Sequence, residues 1–190
     1  MTPRHIAFVF PGQGSQRVGM LAAAHTEYHA VRDTFAEASE ALGSDLWALV
    51  QSGPQEALNL TATTQPVLLT ASVALWRAWQ TSGGVAPALL AGHSLGEFSA
   101  LVCAGSLDFA DAVRLVRQRG EFMQTAVPVG EGAMAAIIGL DDDSINRICG
   151  EIAAEGAGEV AAVNFNSPGQ VVIAGHAAAV ERASAALKTA

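Results

Sequence analysis

The sequence predicts an α/β chain, and three patterns predict it. Two short apolar runs, His5–Phe10 (HIAFVF) and Pro87–Ala91 (PALLA), have the length and composition of buried parallel strands, and each gives way to glycine within two residues. Helical segments fill the sequence between them, so strand and helix alternate. Beyond Gly132 the pattern changes and reads strand, helix, strand, strand, helix.

Taken in order, MTPRHIAFVF has one arginine, a short apolar stretch and no small-residue cleavage site before Pro11, which reads as a first strand rather than a secretory signal. Pro11-Gly12-Gln13-Gly14-Ser15-Gln16 then breaks the strand. Its two glycines let backbone N–H groups converge and its glutamines supply amides, although an ordinary glycine-rich turn would look the same. No third glycine follows at the G-x-G-x-x-G spacing, so a dinucleotide fold is poorly supported. Thr26–Leu42 is an amphipathic helix through Tyr28, Val31, Phe35, Ala38 and Leu42, ended by Gly43. Asp45–Gln51 is a short helix stopped by Ser52-Gly53-Pro54. Thr64-Gln65-Pro66 opens the next helix with Pro66 near its first position. Val67, Leu68, Ala71, Ala74, Leu75 and Ala78 make that helix a deeply buried one.

After the second strand, Gly92-His93-Ser94-Leu95-Gly96 fits G-x-S-x-G, and Glu97–Ala104 reads as a helix. Two readings fit the pentapeptide. It could merely end a strand and cap a helix, or it could be a nucleophile elbow, for which strand, tight turn and helix are the required context. In an elbow the serine sits on a strained turn, so a side chain at 92 or 96 would strike neighbouring backbone. The helix beginning after Ser94 would aim free N–H groups at an oxyanion formed there, and Glu97 suits the positive helix end.

Ser106 or Asp108 caps a helix running to about Ala126, with Leu115, Arg119 and Phe122 on one face, and Val116, Gly120 and Met123 beside it. Arg119 lies at the edge of the apolar face. A guanidinium there seeks a carboxylate, from the protein or a ligand, unless its stem simply snorkels to water. Pro128–Gly132 is the clearest linker. The segment after it comprises a strand at Ala133–Leu140, a helix capped by Asp141 or Asp142 with Ile145, Ile148 and Ile152, strands at Val160–Phe165 and Gln170–Ala174 around the turn Asn166–Gly169, and a helix at Ala177–Thr189. A ferredoxin-like split β-α-β unit needs one more strand.

Composition narrows the function classes. A net charge of −8 with a single lysine, Lys188, argues against a nucleic-acid partner and leaves any acidic partner to the arginines. Every apolar run is interrupted before it reaches the length of a membrane span, so a soluble cytoplasmic protein is expected. Cys103 and Cys149 fall on apolar helical faces and read as buried thiols, neither disulfide nor metal ligands.

Six segments together, PGQGSQ at 11–16, TQP at 64–66, GHSLGE at 92–97, RQRG around Arg119, GAMAAIIG at 132–139 and NFNSPGQVVIAG at 164–175, resemble the malonyl-CoA:acyl carrier protein transacylases of bacterial type II fatty acid synthesis. The likeness covers the whole chain and keeps motif order and spacing. It implies an α/β-hydrolase-like large domain, residues 1–127, and an inserted ferredoxin-like small domain, residues 128–190, both incomplete in this chain, the latter lacking its last strand. It implies transfer of malonyl from coenzyme A to the phosphopantetheine thiol of acyl carrier protein through an acyl-serine, with no metal and no cofactor beyond the coenzyme A thioester substrate. By the same resemblance Ser94 is the nucleophile, the backbone N–H groups of Gln13 and Leu95 form the oxyanion hole, and Arg119 clamps the malonyl carboxylate. Gln65, His93 and Met123 belong to the pocket or its signature, and Asn164 and Gln170 to the matching small-domain segment.

The family's catalytic histidine follows the small domain, beyond Ala190. His5, His25, His29, His93 and His176 do not match its motif, and His176 reads as the start of a helix. The missing strands lead to the expectation that the isolated chain folds poorly, with strand edges and apolar faces uncovered. A serine hydrolase or thioesterase on the same elbow is the alternative for the intact protein. For this piece alone, the alternative is a non-catalytic element that binds carrier protein.

Overall fold

The computed structural model describes residues 6–128, 130–156 and 158–190. His5, where the first strand was expected to begin, and Val129, within the expected linker, lie outside the described residues. The chain forms two compact units, Met1–Thr125 and Ala126–Ala190.

In the first unit β1 (Ala7–Phe10) is followed by α1 (Ala22–Glu27), α2 (His29–Leu42), α3 (Leu46–Ser52), α4 (Gln55–Asn59) and α5 (Thr61–Thr81); then come β2 (Leu89–Gly92), α6 (Leu95–Cys103) and α7 (Phe109–Thr125). β1 and β2 pair in parallel, Ala7 opposite Leu89 and Phe10 opposite Gly92. The helices pack around α5, whose residues from Thr64 to Ala74 are all buried. Phe35 from α2, Val50 from α3, Leu58 from α4, Leu95 from α6 and Val113 from α7 complete one core. Val67, Leu68, Leu69, Ala71, Val73 and Ala74 supply most of that buried surface, but the stretch also buries Thr64, Gln65, Thr70 and Ser72.

Several expected boundaries move, each for a local reason. The helix expected from Thr26 is two, because Tyr28 is extended (φ −110°, ψ 119°) and closes α1 before α2 begins. Gly43 does terminate α2, in the left-handed region at φ 64°. α4 was not expected: Ser52-Gly53-Pro54 reads as a stop, yet a further turn of helix starts directly after Pro54. α5 begins before Thr64-Gln65-Pro66, since Thr63 and Thr64 both donate to the Leu60 carbonyl at 2.8 Å, and Pro66 therefore lies inside the helix. Its missing N–H would have met Ala62, still in the first turns, where the loss is small. Leu75 is exposed rather than buried. On α7 the buried residues are Phe109, Ala112, Val113, Val116 and Gly120, while Leu115 and Phe122 are exposed. Among the described residues the parallel sheet has two strands, and Val9 (77% exposed) and Leu89 (68%) lie open on it.

The second unit contains β3 (Gly132–Ile138), α8 (Asp142–Ala154), β4 (Val160–Ser167), β5 (Gln170–His176) and α9 (Ala177–Leu187). The sheet is antiparallel in the order β3-β5-β4. β4 and β5 run further than expected, to Ser167 and His176, leaving only Pro168-Gly169 as the turn. Ile145, Ile148, Ile152, Val171, Ile173, Val180 and Leu187 form the core between sheet and helices. Asp141 caps α8, accepting from Ser144 N and Ser144 Oγ at 2.8 Å each, and these bonds hold its carboxyl below the ordinary range.

Candidate active site

The parallel register decides where the site lies. Phe10 and Gly92 are paired, so the loop after β1 and the turn after β2 leave the sheet side by side at its carboxyl end. That closeness leaves no room for side chains. A Cβ on Gly96 would stand 2.4 Å from the Phe10 carbonyl oxygen, and one on Gly92 2.1 Å from the Gly96 carbonyl carbon. Ser94 between them adopts φ 54°, ψ −113°, a conformation that costs a non-glycine residue on the order of 1–3 kcal/mol and persists only where its surroundings impose it. α6 starts at Leu95, with Glu97 in its first turn. Neither the Leu95 nor the Gln13 backbone N–H donates to any described residue.

Four side chains, from two helices and the elbow, form one chain of contacts. Arg119 Nη2 donates to Ser94 Oγ at 2.9 Å, and Arg119 Nη1 donates to Gln65 Oε1 at 2.6 Å. Gln65 Nε2 in turn donates to Met123 Sδ at 3.3 Å. The guanidinium also lies over the Phe98 ring, 5.6 Å from its centroid. Five other arginines are matched with acids, Arg77 with Glu37, Arg114 with Asp111, Arg117 with Glu121, Arg147 with Glu151 and Arg182 with Glu155, whereas Arg32 is held by the His25 and Thr26 carbonyls and His29. Arg119 pairs with no carboxylate among the described residues. A half-buried cation held by an amide, a hydroxyl and a ring, with hydrogen-bonding capacity left over, is arranged to receive an anion beside Ser94 Oγ.

Residues 7–190 match the acyl transferase domain family. The chain belongs to that family. Within it, the chain is similar to the malonyl CoA-acyl carrier protein transacylase of Escherichia coli K12, 72% identical over 184 residues, and to that of Haemophilus influenzae, 61% identical over 188. It covers 59% and 60% of those relatives and is itself covered to 97% and 98%, so it spans about three-fifths of their length. Among solved structures it resembles FabD from Acinetobacter baumannii, with a TM-score of 0.90 and 61% identity over 96% of this chain and 58% of that one. It also resembles a malonyl-transacylase solved in complex with a type II PKS acyl-carrier protein, with a TM-score of 0.91 and 63% identity over 98% of this chain and 60% of that one. The α/β fold is common to these family members.

The remaining candidates are dispersed. Gln13 sits exposed on the loop, and the His93 side chain is exposed with no hydrogen bond to a described residue. In the second unit Asn164 is half-buried on β4 opposite Val172, and Gln170 is exposed at the start of β5. His176 Nδ1 accepts from Glu159 N, which ties the ring to its own unit. Met123 is 48% exposed, so it is not plain core. Cys103 is only half-buried, yet burial still pushes its thiol up to about 12, although Arg77 opposes the shift. An apolar cleft of about 810 Å³ between β1 and α5, lined by Phe8, Phe10, Leu68, Trp76 and Trp79, contains neither Ser94 nor Arg119.

Sequence patterns alone do not reveal what holds the loop and the helices in place. Gln16 Oε1 accepts from Gly14 N at 2.9 Å, and its Nε2 donates to Asn59 on α4. Gln55, also on α4, accepts from Val18 N. Gly120 acts between the helices: a Cβ there would meet Ala62 Cα and the Thr61 carbonyl oxygen at 2.6 Å, so its absence lets α7 approach α5 closely enough for Arg119 and Met123 to reach Gln65. The one available signal was a glycine in the middle of an otherwise strong helix.

Proposed function

We propose that the full-length protein is a malonyl-CoA:acyl carrier protein transacylase of fatty acid biosynthesis. The observation that carries the reading is Arg119: a guanidinium without a carboxylate partner among the described residues, 2.9 Å from the oxygen of a strained serine. A malonyl group has a thioester carbonyl at one end and a free carboxylate at the other, and this spacing of nucleophile and cation suits both. Arginine serves better than lysine because its fork matches two carboxylate oxygens.

In the proposed reaction Ser94 Oγ attacks the thioester carbonyl of malonyl-CoA, giving a tetrahedral oxyanion that the Gln13 and Leu95 N–H groups stabilise. Collapse expels the coenzyme A thiolate and leaves malonyl on Ser94. The phosphopantetheine thiol of acyl carrier protein then attacks that ester, and Ser94 is released. A serine hydroxyl needs a base. The family resemblance assigns it to a histidine that follows the small domain, whose motif His5, His25, His29, His93 and His176 do not match. Because Arg119 donates to Ser94 Oγ, the oxygen acts as acceptor and its own proton is free for that base. Gln65, His93 and Met123 are proposed to belong to the acyl pocket, and Asn164 and Gln170 are proposed to have the substrate-binding role that the resemblance gives their own segment. No cofactor is needed beyond the coenzyme A thioester itself.

The same reading makes residues 1–127 an α/β-hydrolase-like domain and residues 128–190 a ferredoxin-like one. The parallel strand-turn-helix around Ser94 supports the first, and the sheet order β3-β5-β4 with two helices in its core supports the second. The proposed setting is the cytoplasm; among the described residues no helix is long and apolar enough to cross a membrane.

The test is intact-mass analysis of the full-length protein after exposure to malonyl-CoA. A single malonyl increment, absent from Ser94→Ala and chased onto holo acyl carrier protein, is the expected result. No adduct, or release of free malonate at the transfer rate without acceptor, would replace this reading with none or with a hydrolase.

A further inference from the structure

Gln65 is 0% exposed, so its amide has no access to solvent and must find both a donor and an acceptor among its neighbours. One neighbour, the Arg119 guanidinium, only donates; the amide oxygen must therefore face it, as it does at 2.6 Å. That leaves the amide nitrogen pointing the other way, where its acceptor among the described residues is the Met123 thioether at 3.3 Å. A thioether sulfur accepts and never donates. Met123 is four residues after Arg119 on α7, so one helix face offers the buried amide a cation on one side and an acceptor on the other.

We infer that the Met123 sulfur is a positioning element for acyl selectivity: by accepting from Gln65 Nε2 it fixes the amide with its oxygen toward Arg119, and so fixes the guanidinium's aim at the acyl carboxylate. This rests on the transacylase reading above. Without the sulfur the Arg119 bond still keeps the amide oxygen toward the cation, but the buried Nε2 loses its acceptor among the described residues, so the amide tilts in search of another and loosens the aim of Arg119. The role differs from that of a pocket wall, because it depends on an acceptor atom and not on side-chain volume. Met123 is also half-exposed, so exchange to leucine removes the acceptor with little threat to the core.

The experiment measures kcat/KM for malonyl-CoA and acetyl-CoA in the full-length protein, its Met123→Leu and Met123→Gln variants, and Arg119→Ala. Loss of one modest hydrogen bond corresponds to a fall of about three- to tenfold in the malonyl-to-acetyl ratio for Met123→Leu, appearing as a higher malonyl-CoA KM. Met123→Gln, which restores an acceptor at similar length, is expected to keep the ratio within about twofold of the parent. An unchanged ratio in Met123→Leu, or an equal fall in both Met123 variants, overturns the inference while Arg119→Ala still collapses the ratio. If Arg119→Ala leaves the ratio intact, the transacylase reading itself fails and the inference with it.

Discussion

The elbow in the first unit and helix α8 in the second are built by opposite means. Around Ser94 the decisive residues are the ones with no side chain: Gly92 and Gly96 sit where an added carbon would lie within 2.4 Å of backbone, and Gly120 where it would lie 2.6 Å from α5. α8 is specified by what it carries, isoleucines at helical spacing over a sheet, and its own Gly150 faces open space. The elbow therefore depends on strain and close approach, while α8 follows ordinary periodicity; the second unit keeps its own tight glycine on the sheet, at Gly175, where a Cβ would lie 2.0 Å from the Glu159 carbonyl oxygen. A site that must hold a hydroxyl forward on a tight turn tolerates far less change than a layer that only buries area.

The same methyl group placed in each region should have opposite effects. Gly96→Ala forces a Cβ against the Phe10 carbonyl and is expected to cost at least about 3 kcal/mol in denaturant unfolding of the full-length protein, with loss of Ser94 acylation. A Gly96→Ala protein as stable as its parent would show that the elbow is not close-packed. Gly120→Ala and Gly150→Ala start from the same footing, because helix propensity favours alanine at both by about 1 kcal/mol. Gly120→Ala should nevertheless destabilise, by about 1–3 kcal/mol, since it drives α7 from α5. Gly150→Ala should stabilise by about 0.5–1 kcal/mol. Equal signs for the two would remove the distinction between a glycine kept for contact and one merely tolerated.

Much of the fold is legible in the residues themselves. GHSLG after an apolar run marks the positive-φ serine between strand and helix, Gly43 a helix end, and Asp141 a cap. The strand and helix order after Gly132 is equally plain. What escapes depends on which element covers which. Periodicity gives a helix its apolar face but does not reveal that Leu115, Phe122 and Leu75 lie open while Gln65 is sealed. The break after Pro54 hides α4, and with it the anchoring of the glycine loop by Gln55 and Asn59. That Arg119 touches both Ser94 and Gln65 depends on Gly120, whose role emerges only when two helices are seen to meet.

Arg119 is proposed to receive the acyl carboxylate beside Ser94 Oγ. The most direct measurement is a crystal structure of the full-length protein loaded with malonyl in the absence of carrier protein. The expected result is an ester on Ser94 Oγ whose free carboxylate lies about 2.7–2.9 Å from the Arg119 guanidinium nitrogens in a two-pronged pair. A malonyl carboxylate directed into solvent or held by another residue, with Arg119 still on Gln65 alone, would contradict it.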